Sequence, residues 1–198
     1  MKQLANVLIT DYDDPQLTIG LLAKLSRKFS ERNVLTKMKS LLVLHRLMHL
    51  IHSKAQVAVS KSFASLQLEI DEKNGNRFFN IDSVSQCRAS ADDASTVDAI
   101  ELCREYAQYV FDYIRLRDPN SNFKGSKRAS IETETKRAKD IVALYHKGEK
   151  IEASCRKVSS LLGKQCMGFI KQDKVWIVSE LKRLYNVSML CIGCLLVI

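Results

Sequence analysis

The chain predicts an all-α fold, and three observations carry that expectation. Glycine and proline are scarce, 7 and 2 among 198 residues, too few to punctuate a many-stranded sandwich or barrel. Apolar residues recur at three- and four-residue spacing along most of the chain, which is the period of a helix with one buried face. Hydrophobic content of 46% and charged content of 27% are ordinary globular values, enough for one domain with a core and against wholesale disorder.

Residues 2–10 predict a short segment with an apolar face (Leu4, Val7, Leu8), closed by the acidic turn Asp11, Tyr12, Asp13, Asp14, Pro15. Pro15 suits the first turn of the next helix, where a missing N–H has no consequence. That helix runs to Phe29, with Leu17, Leu21, Leu22, Leu25 and Phe29 on one face and Lys24, Arg27 and Lys28 off it. The next, residues 33–52, is apolar around most of its circumference, from Val34 and Leu35 to Leu50 and Ile51. It is long enough to span a bilayer, but Lys37, Lys39, His45, Arg46, His49 and His52 make insertion costly. It therefore reads as the central helix of a bundle or solenoid.

A helix over 54–70 follows, through Ala55, Val59, Phe63, Leu66 and Ile70. Residues 71–95 read as a long polar connection with a short ordered piece around Phe78, Phe79, Asn80 and Ile81. Residues 96–117 predict a helix through Ile100, Cys103, Ala107, Val110, Phe111 and Ile114, and 118–128 a loop and hinge. Three more helices are expected, at 129–147, 150–171 and 173–187, with Gly148 as the stop between the first two. The apolar residues 187–198 are too few to span a bilayer. They read as a last helix tucked on the core, a hydrophobic anchor, or a chain read past its natural boundary.

Lys and Arg outnumber Asp and Glu by 31 to 22, a net charge of +9 that favours anionic partners: nucleic acid, acidic protein, or an anionic membrane leaflet. Six scattered cysteines (Cys87, Cys103, Cys155, Cys166, Cys191, Cys194), with no leader ahead of them, are expected to be reduced and mostly buried in a cytosolic protein.

Candidate chemistry is thin. His45, His49 and His52 at i, i+4 and i+7 put three imidazoles on one stripe, a spacing that can hold zinc. Residues Arg46, Leu47 and Met48 supply no general base, and Arg46 opposes a cation, so structural histidines are expected and no metal. Cys191 and Cys194 form a lone C-x-x-C without a second pair, read as apolar tail residues. Phosphate-loop, dinucleotide and nucleophile-elbow motifs are absent, and the acidic pairs Asp13–Asp14 and Asp92–Asp93 read as caps. No enzyme and no cofactor is expected. Basic residues cluster at Lys24, Arg27, Lys28 and Arg32, and again at Lys124, Lys127, Arg128, Lys136, Arg137 and Lys139. Aromatics make up only 7% and sit at core-like positions, which disfavours nucleic acid and leaves a membrane surface as the better anionic partner.

Two blocks carry a family resemblance. Leu25–Phe29, then Val34 to Met48, resembles the core helices of the ANTH domain of the ENTH/ANTH superfamily, with matches at Lys39, Leu42, Leu44, His45, Arg46 and Leu47. Glu101 to Arg115 looks like that family's F-V-R-x-Y-A-x-Y-L helix, with Tyr106, Ala107 and Tyr109 in register. The resemblance covers residues 2–118 by motif and the rest by helical character alone. It implies a right-handed α-solenoid of stacked helix pairs (ENTH/ANTH/VHS-like), residues 1–187 as one domain and 188–198 as a short apolar tail. The implied function is a clathrin-assembly adaptor that binds phosphatidylinositol 4,5-bisphosphate in the membrane. Its implied place is cytoplasmic, peripheral at the plasma membrane and at clathrin-coated pits and vesicles. Implied partners are clathrin and adaptor coat proteins and, in some relatives, vesicle SNAREs. The other implied reading is a helical protein-interaction scaffold without specific lipid binding.

The family's first helix has no counterpart in this sequence. Its basic K-x-K-H cluster reduces to Lys2, with Gln3 in place of the histidine. The implied lipid site is therefore Lys2 and Gln3 at the N-terminal edge, with Lys24 and Lys28 as basic neighbours. An uncovered apolar face at that end of a solenoid predicts marginal stability or self-association.

Overall fold

A computed structural model describes residues 14–73, 75–87, 94–118, 131–157 and 161–196, with the side chains of 94–95, 131–132, 157, 161–162 and 187–196 excepted. The described chain is all-helical: α1 (Pro15–Phe29), α2 (Val34–Leu50), α3 (Ser53–Leu66), a 3-10 turn (Ile81–Gln86), α4 (Ala94–Leu116), α5 (Ile131–Lys157) and α6 (Leu161–Leu196). One isolated antiparallel bridge, Ile70 to Arg77, closes the turn after α3.

Local chemistry starts the first three helices. The Asp14 carboxylate accepts from the N–H groups of Gln16 (2.8 Å) and Leu17, ahead of Pro15 at the first helical position. Asn33 caps α2 through the Thr36 N–H (3.1 Å), and the His52 ring caps α3 through the Ala55 N–H (3.2 Å). Helix α2 buries nine of its residues, consistent with a helix packed on several sides. It meets α1, α4 and α6, while α4 meets α2, α3, α5 and the 3-10 turn.

The connection after α3 is more ordered than its composition suggests. Phe78 and Phe79 are buried, and the Phe79 N–H donates to Ser26 Oγ at 2.7 Å. Phe79 takes a positive φ of 52°, unusual for an aromatic residue, and its ring is held against Phe63 (4.8 Å) and Phe111 (5.6 Å). Phe29 completes that cluster at 5.7 Å from Phe111. Beside it, the buried Lys37 ammonium donates to the Phe29 carbonyl (2.6 Å) and to Ser83 Oγ (3.0 Å). Phe29 is the last residue of α1, so a lysine seals one of the carbonyls that a helix end leaves open.

The C-terminal half departs from the sequence expectation. Two long helices replace three, and neither Gly148 nor the 171–173 region interrupts them. Gly148 lies inside α5 on the stripe Ile141, Leu144, Gly148, Ile151, Cys155, which faces the core. A Cβ there would lie 3.1 Å from Ile170 Cγ2 and 3.3 Å from Tyr109 Cε2, so this glycine permits a close approach of α4, α5 and α6. Helix α6 buries Gly163, Cys166, Ile170, Asp173, Ile177 and Leu184, spaced by three and four residues as far as Ile177 and by seven to Leu184, and Asp173 is the one charged member. The backbone helix continues to Leu196, through most of the apolar 187–198 stretch. Among the described residues no helix is long and apolar enough to cross a membrane.

Candidate functional site

Three helical stripes bring their polar residues to one level. On α2 the i, i+4 pair is His45 and His49; on α4 the i, i+3, i+7 set is Tyr106, Tyr109 and Tyr113; on α6 it is Asp173. They converge in the interior. His45 Nδ1 lies 2.8 Å from the Tyr106 hydroxyl, and His45 Nε2 lies 2.9 Å from Asp173 Oδ2. The Tyr109 hydroxyl donates to the same carboxylate oxygen at 2.7 Å. His49 Nε2 approaches Asp173 Oδ1 at 3.0 Å, yet neither of those two atoms is satisfied by a hydrogen bond.

Electrostatics fix the charge states. Burial lowers the His45 pKa, against the pull of Asp173, so its imidazole is held neutral. Burial alone would raise Asp173, but its interactions with His45 and His49 outweigh burial and hold the carboxyl at about 2. Burial likewise pushes the phenols of Tyr106, Tyr109 and Tyr113 up, so they stay protonated. The arrangement is an ionised carboxylate, fully buried, surrounded by imidazoles and phenols.

Above this cluster lies a groove of about 500 Å³ between α2 and α6, lined by Lys39, Leu42, Val43, Arg46, Phe169 and Gln172, among others. The Phe169 ring separates the two, stacked on His49 at 5.7 Å and 16° and tilted against His45 at 5.2 Å. Lys39 and Arg46, seven residues apart on α2, are exposed on its walls and make no ion pair among the described residues.

The residues singled out from sequence fare unevenly. Lys2 and Gln3 lie outside the described residues, as do the 2–10 segment, Asp13, Asp92–Asp93 and the cations Lys124, Lys127 and Arg128; the side chains of Cys191 and Cys194 do too. Lys24 is exposed on α1 without an ion pair among the described residues, and Arg32 is exposed beyond its end. Lys28 is exposed but tied to Glu31 at 2.6 Å. Arg27 is not a free cation: its guanidinium grips Asp71 through two bonds, 3.0 and 3.1 Å. Nor does Arg137 belong to a solvated cluster. It is buried, donating to the carbonyls of Leu116 (2.8 Å) and Asp118 (3.3 Å) and pairing with Glu180 (3.1 Å). Lys136 and Lys139 beside it are exposed. Of the three histidines read as one stripe, His52 serves as the α3 cap, and only His45 and His49 reach the interior cluster. Cys103, Cys155 and Cys166 are buried, Cys87 is half-buried, and all four are free thiols.

Sequence reasoning misses Asp173. Its position on the Cys166, Ile170, Asp173, Ile177 stripe is the signal that could find it, since a carboxylate on an apolar face needs a partner. A scan against protein-family models, a search of curated proteins and a search of solved structures each found no match to this chain.

Proposed function

We propose that the chain is a peripheral membrane adaptor of ANTH type. In this reading its helices stack as a right-handed solenoid, and it binds phosphoinositide at the cytoplasmic face of the plasma membrane and engages clathrin-coat proteins, without enzymatic activity. The observation that carries the reading is the pair Lys39 and Arg46, exposed on one stripe of α2 with no ion pair among the described residues. With Lys24 and Arg32 they supply ammonium and guanidinium groups that can approach phosphates without dehydrating fully. A second observation supports the family half of the reading. His45 and Tyr106, one from each of the two sequence blocks, meet in a buried hydrogen bond, so the blocks act as one structural unit.

Co-sedimentation with liposomes tests it, comparing phosphatidylinositol 4,5-bisphosphate with charge-matched phosphatidylserine. Preference for the bisphosphate lipid is expected; equal partition would reduce the function to charge attraction and sink the specific-lipid reading.

A helical interaction scaffold is the second reading, favoured by α6. Val175 (74% exposed), Val178 (45%) and Tyr185 (65%) share a stripe at i, i+3 and i+10. An amphipathic helix, such as that of a vesicle SNARE, would lay its apolar face along such a stripe. Pull-down with SNARE-helix peptides reads it, and absence of binding at micromolar concentration removes it.

A further inference from the structure

We propose that His45, His49 and Asp173 form a divalent-metal site, with zinc as the ion, that staples α2 to α6. The three side chains offer one ligand atom each, all lying within 4.8 Å of one another. Tetrahedral zinc with bonds of about 2.0–2.1 Å holds its ligand atoms about 3.3 Å apart. His45 Nε2 faces Asp173 Oδ2 at 2.9 Å and His49 Nε2 faces Asp173 Oδ1 at 3.0 Å, so one ion on this carboxylate draws both imidazoles together and closes a spread of at most 4.8 Å.

Three features distinguish this cluster from an ordinary buried ion pair. Asp173 is fully buried, and the groups it meets are two imidazoles and a phenol instead of a lysine or arginine. Asp173 Oδ1 and His49 Nε2 lie buried 3.0 Å apart in an alignment too poor to satisfy either as a hydrogen bond, a cost that a shared cation removes. With Nδ1–H of His45 donating to the Tyr106 hydroxyl oxygen at 2.8 Å, the Nε2 lone pair is left to face a metal. Neutral imidazoles and a carboxylate are the ligand set zinc accepts, and both histidines come from one helix at i, i+4.

Against the ion stands Arg117, which acts on His45 and whose guanidinium lies over the Tyr113 and Trp176 rings. Asp173 lies nearer the histidines and carries the opposite charge. Entry is through the α2–α6 groove, past Phe169.

The test uses the full chain, stripped of metal and kept reduced, titrated with cobalt(II) as a spectroscopic stand-in and then with zinc. One equivalent of cobalt should bind with the visible d–d bands of tetrahedral nitrogen and oxygen ligation. Zinc should displace it and raise the melting temperature by several degrees, a rise that chelator reverses. His49 is partly exposed, so His49→Ala and His49→Gln are the variants most able to keep the fold. Each should weaken cobalt affinity at least tenfold, whereas the Cys191→Ser/Cys194→Ser double variant should leave it unchanged. No saturable binding at micromolar metal overturns the proposal. So does a cobalt complex with the near-ultraviolet thiolate charge-transfer band, or one whose affinity the His49 variants leave unaltered.

Discussion

Gly148 and Gly20 show how one residue type has opposite consequences in two helices. A Cβ added at Gly20, inside α1, would meet no atom within 4 Å, so Gly20→Ala should gain about 0.5–1 kcal/mol from lower backbone entropy alone. Gly148→Ala gains the same propensity but drives a methyl group against Ile170 and against Tyr109, whose hydroxyl is anchored on Asp173. Overpacking of about 1–3 kcal/mol then outweighs it, and urea denaturation should show a net loss. Asp71 carries a pH signature at the same scale. Its hydrogen bond to Arg27 lowers its pKa below the ordinary 3.8, so its contribution is present above that value and fades as pH falls through the folded-state value. Asp71→Asn should therefore destabilise the protein at neutral pH and matter progressively less below about pH 4. Acid titrations of both proteins, followed by circular dichroism, check it.

Between elements, stability rests on side chains that close helix ends as much as on apolar stripes. Arg137 on α5 holds the carbonyls of Leu116 and Asp118 at the exit of α4 and pairs with Glu180 on α6, joining three helices with one guanidinium. Its removal leaves buried carbonyls and a half-buried carboxylate unpaired, and Arg137→Ala should cost about 3 kcal/mol by denaturant unfolding. The aromatic cluster of Phe29, Phe63, Phe79 and Phe111 joins α1, α3, α4 and the loop. Phe111→Ala there should lose about 3–5 kcal/mol. Glycine often ends helices, which makes Gly148 look like a stop, yet its spacing from Leu144 and Ile151 already places it on the buried stripe of α5. The same three-four spacing runs unbroken from Cys166 to Ile177, across the expected boundary near residue 172. Composition favours a break at both places, and period, the better guide, favours continuity.

For the whole molecule, the surplus of cations is the property a membrane would read. Each lysine or arginine near an anionic leaflet contributes about 1 kcal/mol. Lys39→Ala together with Arg46→Ala should lower vesicle partition about thirtyfold if this stripe faces the lipid. Partition should also fall as salt rises toward a Debye length of about 8 Å at physiological ionic strength. A double variant that sediments like the parent would move the lipid contact elsewhere.

The sequence by itself determined the helical class, helices α1 to α4 to within a few residues, the start of α1 at Asp14 and Pro15, and the burial of α2. All of these depend on local period and on residues adjacent in the chain. Only the tertiary structure decided which polar residues are solvated and which are interior. Arg27 and Arg137 look like surface cations until Asp71, 44 residues away, and Glu180, 43 residues away, are placed against them. Asp173 meets His45 across 128 residues, a distance over which no helical period carries information. Charge is neutralised by whatever lies within a few ångströms, and the chain reveals those neighbours only when its helices pack.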